Sequence, residues 1–116
     1  MKRILAIVPD LLIETRIAGA AKALDATVEP ISPQEATERI ASSSPALVIV
    51  DLAAPELDLD AIASAARRGR VGLVGFYPHV DVALRRAAKG AGVDHVYARS
   101  RFLGELPSIL RERLED

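Results

Sequence analysis

The chain contains no cysteine and no tryptophan, and 3% of its 116 residues are aromatic. The absence of cysteine excludes disulfides, thiolate metal sites and a cysteine nucleophile. Because aromatic residues are scarce, the hydrophobic 50% of the chain must build a core from Ala, Val, Ile and Leu. Neither sign of charge is in large excess, because the chain has 15 Lys and Arg residues and 16 Asp and Glu residues, which give a net charge of −1. No overall field therefore favours nucleic acid or an anionic membrane as a partner.

Long apolar runs are absent too, and none approaches the roughly 20 residues that a membrane-spanning helix needs. The first run follows Lys2 and Arg3, but Pro9 and Asp10 interrupt it after five residues, which is too short for a signal peptide. We therefore expect a cytoplasmic protein without membrane contact. The length fits a single domain that covers residues 1–116.

Five short apolar runs alternate with five segments of helical periodicity. The runs, each expected to form a strand, are Ile4–Val8, Thr27–Ile31, Ala46–Asp51, Val71–Phe76 and Asp94–Ala98. Apolar strands separated by helices predict a parallel sheet with helices on both faces. With right-handed crossovers, this pattern predicts an α/β, flavodoxin-like (βα)5 three-layer sandwich, a five-stranded parallel sheet with strand order 2-1-3-4-5.

End signals mark several of the helices. A capping box over Ser32–Glu35 opens the second helix, and Gly90 or Gly92 supplies the left-handed end of the fourth. The third helix is expected at roughly Leu57–Arg68 and the fourth at about Val80–Lys89. The last helix carries Leu106, Ile109, Leu110 and Leu114. Its start stays open, because Pro107 either lies in the first turn or follows a separate short turn.

Two acids follow strands that this order makes neighbours. Asp10 ends the first strand and Asp51 ends the third, so their carboxylates should converge in the crevice at the switch point of the sheet. Each acid also has a purely structural explanation. Asp10 could cap the following helix, and Asp51 could cap the turn after its strand.

With these residues placed, the chain resembles the receiver domains of bacterial two-component response regulators over essentially its whole length. The matching motifs are Val8-Pro9-Asp10, Val50-Asp51, the stretch from Gly75 to Asp81, and Ala91-Gly92 leading to Arg99-Ser100. The resemblance implies that Asp51 accepts a phosphoryl group. It also implies that Asp10, Asp51 and the carbonyl of Ala53 hold Mg²⁺, a cation that prefers carboxylate and carbonyl oxygens.

Four positions depart from the receiver pattern. Pro9 replaces the first acid of the metal-binding pair, and Ser100 replaces a proline. Tyr77 occupies the position of a Ser or Thr, where its hydroxyl lies too far out to reach a phosphoryl group on Asp51. Arg99 replaces a lysine and offers a planar guanidinium in place of a compact ammonium. The chain therefore resembles an atypical, degenerate member of the family, a pseudo-receiver.

The expected pocket rim consists of Tyr77, His79, Arg99 and Ser100. Arg99 would either recognise a phosphoryl group or form a salt bridge with Asp51 or Asp10 in place of a metal. His79 is also explained as an ordinary surface-loop histidine.

The functional prediction is a stand-alone, receiver-like signalling module that is not an enzyme. It would act through contacts with a histidine kinase or a downstream effector, with phosphoryl acceptance at Asp51 expected to be inefficient. A homodimer would use the face of helix four, strand five and helix five, if Tyr97, Phe102 and Leu103 are exposed there. The alternative is a small-ligand or nucleotide-binding flavodoxin-like domain without phosphotransfer, which uses the crevice at Asp10, Asp51, Tyr77 and Arg99.

Overall fold

The computed structural model describes residues 1–78 and 81–114. Its five strands are β1 (Lys2–Ile7), β2 (Ala26–Pro30), β3 (Leu47–Asp51), β4 (Gly72–Tyr77) and β5 (His95–Ala98). Its α-helices are α1 (Leu11–Lys22), α2 (Ala36–Ser43), α3 (Leu59–Gly69), α4 (Val82–Ala91), α5 (Arg99–Gly104) and α6 (Leu106–Leu114). A short 3₁₀ helix, Pro33–Glu35, precedes α2. None of the helices in the described ranges is long and apolar enough to cross a membrane.

All strand pairs are parallel, and the sheet has the order β2-β1-β3-β4-β5. The predicted fold class and strand order are therefore confirmed. Ile7 of β1 lies opposite Val50 of β3, and Asp51 lies opposite Phe76 of β4. This register brings the carboxyl ends of β1, β3 and β4 to one edge of the sheet, where the two acids were expected to meet.

Side chains alternate between the two faces of the sheet and build one apolar cluster on each. Along β3, Leu47 and Ile49 belong to the cluster covered by α1, α5 and α6, which we call the α1-side core. Val48 and Val50 belong to the cluster covered by α2, α3 and α4, which we call the α3-side core. Two-sided burial explains why the strand is an unbroken apolar run in the sequence.

The few aromatic residues are concentrated in the α1-side core. Phe76 of β4 and Phe102 of α5 are both fully buried, and their rings stack with centroids 4.8 Å apart at an interplanar angle of 16°. Tyr97 of β5 lies beside them, 6.4 Å from Phe102. This aromatic pair anchors the short α5 to the sheet, so that Arg99 at the start of α5 is held near the edge that carries Asp51.

The helix ends agree with most of the end signals. Glu35 accepts a hydrogen bond from the Ser32 N–H at 2.9 Å, as the capping box requires. Gly92, with φ of 94°, caps α4 in the left-handed region, so the exit is supplied by Gly92 and not Gly90. Pro107 lies in the first turn of α6, where its missing N–H costs no helical hydrogen bond. A separate short helix, α5, also precedes α6, so both of the alternatives for Pro107 are found.

The two ends of the described chain meet on the α1 side of the sheet. Lys2 at the start of β1 donates a hydrogen bond from Nζ to the carbonyl oxygen of Leu114, the last residue of α6. Leu114 itself is buried in the α1-side core. β1 and α6 are thereby joined at the edge of the sheet opposite Asp51.

Candidate functional site

Asp51 occupies the last position of β3, and the turn that follows holds its carboxylate. Its Oδ1 accepts a hydrogen bond from the Ala53 N–H at 2.9 Å, while its backbone carbonyl accepts one from Ala54 at 2.9 Å. The Leu52 N–H donates to the carbonyl of Phe76 at 2.9 Å, which ties the turn to β4. The predicted turn-capping role of Asp51 is therefore present in the structure.

The surroundings of Asp51 change its acidity. Partial burial is the largest influence and raises the pKa of this carboxyl above its ordinary value of 3.8. The Ala53 N–H and the charge of Arg99 lower the pKa, and the Asp10 carboxylate raises it. A partly buried acid with a raised pKa, at the end of a central strand, is a recognised sign of a functional site.

Asp10 caps the N-terminus of α1. Its Oδ1 accepts hydrogen bonds from the backbone N–H groups of Leu12 at 2.9 Å and Ile13 at 3.2 Å. The helix-capping explanation given by the sequence is thus correct. Because Asp10 also influences the pKa of Asp51, the same carboxylate contributes to the electrostatics of the pocket.

Arg99 is the first residue of α5 and is exposed. Within the described ranges, ion pairs join Arg39 to Glu29, Arg101 to Glu105 and Arg113 to Glu112. Arg99 takes part in none of them, so the salt bridge expected with Asp51 or Asp10 is absent from this structure. Arg99 instead lines a groove of about 580 Å³ between α1 and α5, together with Asp10, Leu12, Ile13, Thr15, Arg16 and Leu103.

Tyr77 does not extend over the pocket as an exposed rim residue. It is half-buried and packs against the α3-side core, because it follows Phe76, whose side chain lies on the opposite face of the sheet. Ser100 is exposed in the first turn of α5, and Ala53 is exposed in the turn after β3. His79, the remaining rim residue, lies outside the described residues.

The expected magnesium site can be compared with the donors present. Residues 1–78 and 81–114 contain no group of three or more His, Cys, Asp or Glu side chains placed to hold a metal ion. The side-chain donors at this edge are Asp10 and Asp51, each already accepting backbone hydrogen bonds through one oxygen. Pro9 offers no side-chain oxygen. Binding of Mg²⁺ therefore stays a prediction.

The expected apolar interface on β5 and α5 is not exposed. Phe102 is fully buried, and Tyr97 and Leu103 are half-buried. The Arg101 guanidinium lies 5.4 Å from the centre of the Tyr97 ring, within the range of a cation–π contact. A dimer face was expected here only if these three apolar side chains were exposed, and none of them is.

Exposed apolar surface lies instead at the start of α1. Leu11 is 74% exposed and Leu12 is 79% exposed, directly after the Asp10 cap. The sequence carried a signal for this feature, because both residues fall outside the stripe of Ile13 and Ile17 that turns inward. Leu12 also lines the groove that contains Arg99.

Comparison of the sequence with protein-family models gives no match, and comparison with curated proteins gives none either. Comparison of the structure does give matches. A response regulator from Hahella chejuensis superposes with a TM-score of 0.84 at 19% identity, covering 98% of this chain and 96% of that one. A CheY-like response regulator receiver domain protein from Methanospirillum hungatei JF-1 gives 0.81 at 18% identity, covering 98% and 94%. A response regulator from Thermotoga maritima gives 0.80 at 16% identity, covering 100% and 99%.

These similarities extend over nearly the full length of each chain, although the sequence identities are only 16–19%. The five-stranded parallel sheet and its strand order agree with them. The chain therefore has the fold of the CheY-like receiver domains of response regulators.

Proposed function

We propose that this protein is a receiver-like signalling module that acts by binding a partner protein at the edge of the sheet where Asp51 lies. The observation that carries this proposal is the exposure of Leu11 and Leu12 beside the groove between α1 and α5. Burying a leucine side chain at an interface stabilises it by about 1.5–3 kcal/mol. Two adjacent leucines can therefore supply a substantial part of the free energy of a signalling contact.

The groove adds specificity to this apolar surface. Arg16 and Arg99 contribute positive charges, and Asp10 contributes one negative charge close to them. A partner that places apolar side chains on the leucines and a carboxylate near the arginines would be complementary to it. We infer that the partner is a histidine kinase or a downstream effector, as for a receiver.

Phosphoryl acceptance at Asp51 is the second part of the proposal. One carboxylate oxygen would attack the phosphorus of a donor, and the new P–O bond would form as the donor's bond to phosphorus breaks. The charge of Arg99, which already lowers the pKa of Asp51, would offset part of the added negative charge. If Mg²⁺ binds here, Asp10, Asp51 and the Ala53 carbonyl would hold it, and its charge would screen the carboxylate from the donor phosphate.

We expect this phosphorylation to be slow for two reasons taken from the site. Asp10 already caps α1, and Tyr77 packs against the α3-side core. The pocket thus has the charge of Arg99, while the Tyr77 side chain is held by the α3-side core. The packing of Tyr77 also weakens the alternative of a ligand crevice, because the ring that would stack on a ligand is already half-buried.

The experiment that tests the proposal is quantitative capture of partners from a lysate of the source organism. The unmodified protein is compared with the double variant Leu11→Ser/Leu12→Ser, and Val82→Ser serves as the matched control. Val82 is 51% exposed at the start of α4, so the control removes exposed apolar surface elsewhere. A histidine kinase or effector that is retained by the control and lost by the double variant supports the proposal.

Equal capture of partners by all three proteins would contradict the proposed partner contact.

Phosphorylation is tested separately by intact mass after incubation with Mg²⁺ and acetyl phosphate, with Asp51→Ala alongside. An adduct on the parent that is missing from the variant identifies Asp51 as the acceptor. The lack of any adduct would leave contact-based signalling as the whole of the function.

A further inference from the structure

A second cleft lies at the other end of the sheet, between the C-terminal ends of α3 and α4. It has a volume of about 370 Å³, which is within the range of small-molecule sites. Gly72 at the start of β4 and Asp94 just before β5 line one part of it. Arg67 and Arg70, at the end of α3, line another. The cleft is thus separated from Asp51 by the length of the strands.

The end of α4 provides close backbone contact for one of these arginines. A Cβ atom placed on Gly92 would lie 2.8 Å from Nη1 of Arg67, a distance at which one of the two would have to move. Gly92 also has a φ of 94°, which residues other than glycine rarely adopt. The glycine therefore lets the Arg67 guanidinium lie directly against the backbone that ends α4.

One further cation lies at this end of α4. Lys89 is in the last turn of the helix, three residues before Gly92, and is exposed. Together with Arg67 and Arg70 it forms a set of three, which we call the α3–α4 cations.

The α3–α4 cations have no ion pair within the part of the chain that the structure describes. Cations at helix C-terminal ends are ordinarily explained by the helix dipole, which places about half a negative charge at each end. Two helix ends and the Asp94 carboxylate therefore offset about two of the three positive charges. About one positive charge remains, more than stabilisation of the helix ends accounts for.

Arg70 is placed at the cleft by an unusual backbone conformation. It caps α3 with φ of 56°, in the left-handed region where glycine is the common residue. Gly69, directly before it, ends the helix instead in an ordinary helical position. A guanidinium is consequently present at a position where helices that end in the left-handed conformation usually have glycine.

We infer that this cleft binds a phosphate-bearing small molecule of nucleotide size. Arg67 and Arg70 offer guanidinium groups suited to bidentate contact with phosphate oxygens. Asp94 accepts a hydrogen bond from the Leu73 N–H at 2.8 Å through Oδ2, and its other oxygen can accept N–H or O–H donors of a base or sugar. The site lies at the edge opposite Asp51, so ligand binding there is a function separate from the partner contact proposed above.

The test is isothermal titration of the full chain with ATP, with pyrophosphate and with adenosine, each in turn. The variant Arg67→Gln/Arg70→Gln removes both cleft arginines. The control Arg68→Gln/Arg86→Gln removes the same amount of charge, one residue from α3 and one from α4, and neither residue lines the cleft. Arg68 bonds Ser64 instead. Thermal unfolding of both variants, compared with the parent, verifies that they are folded.

We expect ATP and pyrophosphate to bind the parent and adenosine to bind at least tenfold more weakly, because phosphate provides the charge-assisted contacts. Loss of both cleft arginines should weaken ATP binding about a hundredfold, about tenfold for each guanidinium, while the control changes it less than about threefold. Equal weakening in both variants would show a diffuse charge effect and overturn the proposal. So would the absence of ATP binding to the parent up to about 10 mM, or adenosine binding as tight as that of ATP.

Discussion

Replacing the carboxyl of Asp51 by an amide, in the variant Asp51→Asn, is expected to stabilise the fold at neutral pH. Burial raises the pKa of Asp51 in the folded protein above the ordinary value of 3.8, which means that its charged form is disfavoured there. The folded state therefore binds the proton more tightly than the unfolded chain does. Stability is accordingly highest when the proton is bound, and it falls as the pH rises through the interval between 3.8 and the raised pKa.

The size of the effect follows from the contacts of the carboxylate. Asn has no charge to bury and is not repelled by Asp10, but it loses the attraction of Arg99. Its side-chain oxygen can still accept the hydrogen bond from the Ala53 N–H. The balance is a gain of about 0.5–1 kcal/mol in the free energy of unfolding, the range of one partly solvated charge interaction. This corresponds to a rise of roughly 2–5 °C in Tm for a domain of this size.

Urea unfolding followed by circular dichroism at several pH values between about 4 and 8 measures this difference. The gain of Asp51→Asn over the parent should be largest at neutral pH and should shrink as the pH approaches 3.8. Asp25→Asn is the matched control, because Asp25 is exposed and its left-handed conformation, with φ of 58°, is one that Asn tolerates. The reasoning is refuted if Asp51→Asn is less stable than the parent at neutral pH, since the Ala53 and Arg99 contacts would then outweigh burial.

Three further substitutions test the core packing and the helix ends. Phe102→Ala removes a fully buried ring stacked on Phe76 and should lower the free energy of unfolding by about 3–5 kcal/mol in urea titrations; a loss under 1 kcal/mol would contradict the packing. Asp10→Ala removes the cap of α1 and should cost about 1 kcal/mol, with Asp10→Asn close to the parent because Asn is an equally good cap. Gly92→Ala should cost about 1–2 kcal/mol, because its φ of 94° disfavours a side chain and Arg67 occupies the space; an unchanged Tm would argue against both reasons.

The strands and their order could be predicted because burial on both faces leaves a direct trace in the sequence. An unbroken run such as Leu47–Val50 has no polar alternation, and it is the pattern that a central parallel strand requires. The positions of Asp10 and Asp51 at one edge followed from the strand order alone. Of the two roles considered for Asp10, the helix cap was also predicted correctly, because capping depends on local sequence.

The directions of the side chains at the edge were harder to predict. Pairing of Arg99 with an acid was one of two alternatives, the other being recognition of a phosphoryl group. In the structure α5 begins at Arg99, which lines the groove beside α1. The expected dimer face depended on whether Phe102 is exposed. The sequence left the start of the last helical segment undecided, and the face that Phe102 turns inward depends on that start. Tyr77 illustrates a signal that was present, because Phe76 faces the α1-side core and the next residue of a strand must face the other way.

The contact between Lys2 and Leu114 has a practical consequence for how the protein can be joined to other chains. β1 is six residues long, so Lys2 lies about 20 Å from the edge at which Asp51 and the exposed leucines are found. A tag, fluorophore or fused domain attached beyond either residue emerges at that far edge and leaves the Asp51 pocket accessible. The same attachment would emerge at the edge that carries the cleft between α3 and α4, so ligand titrations call for untagged protein.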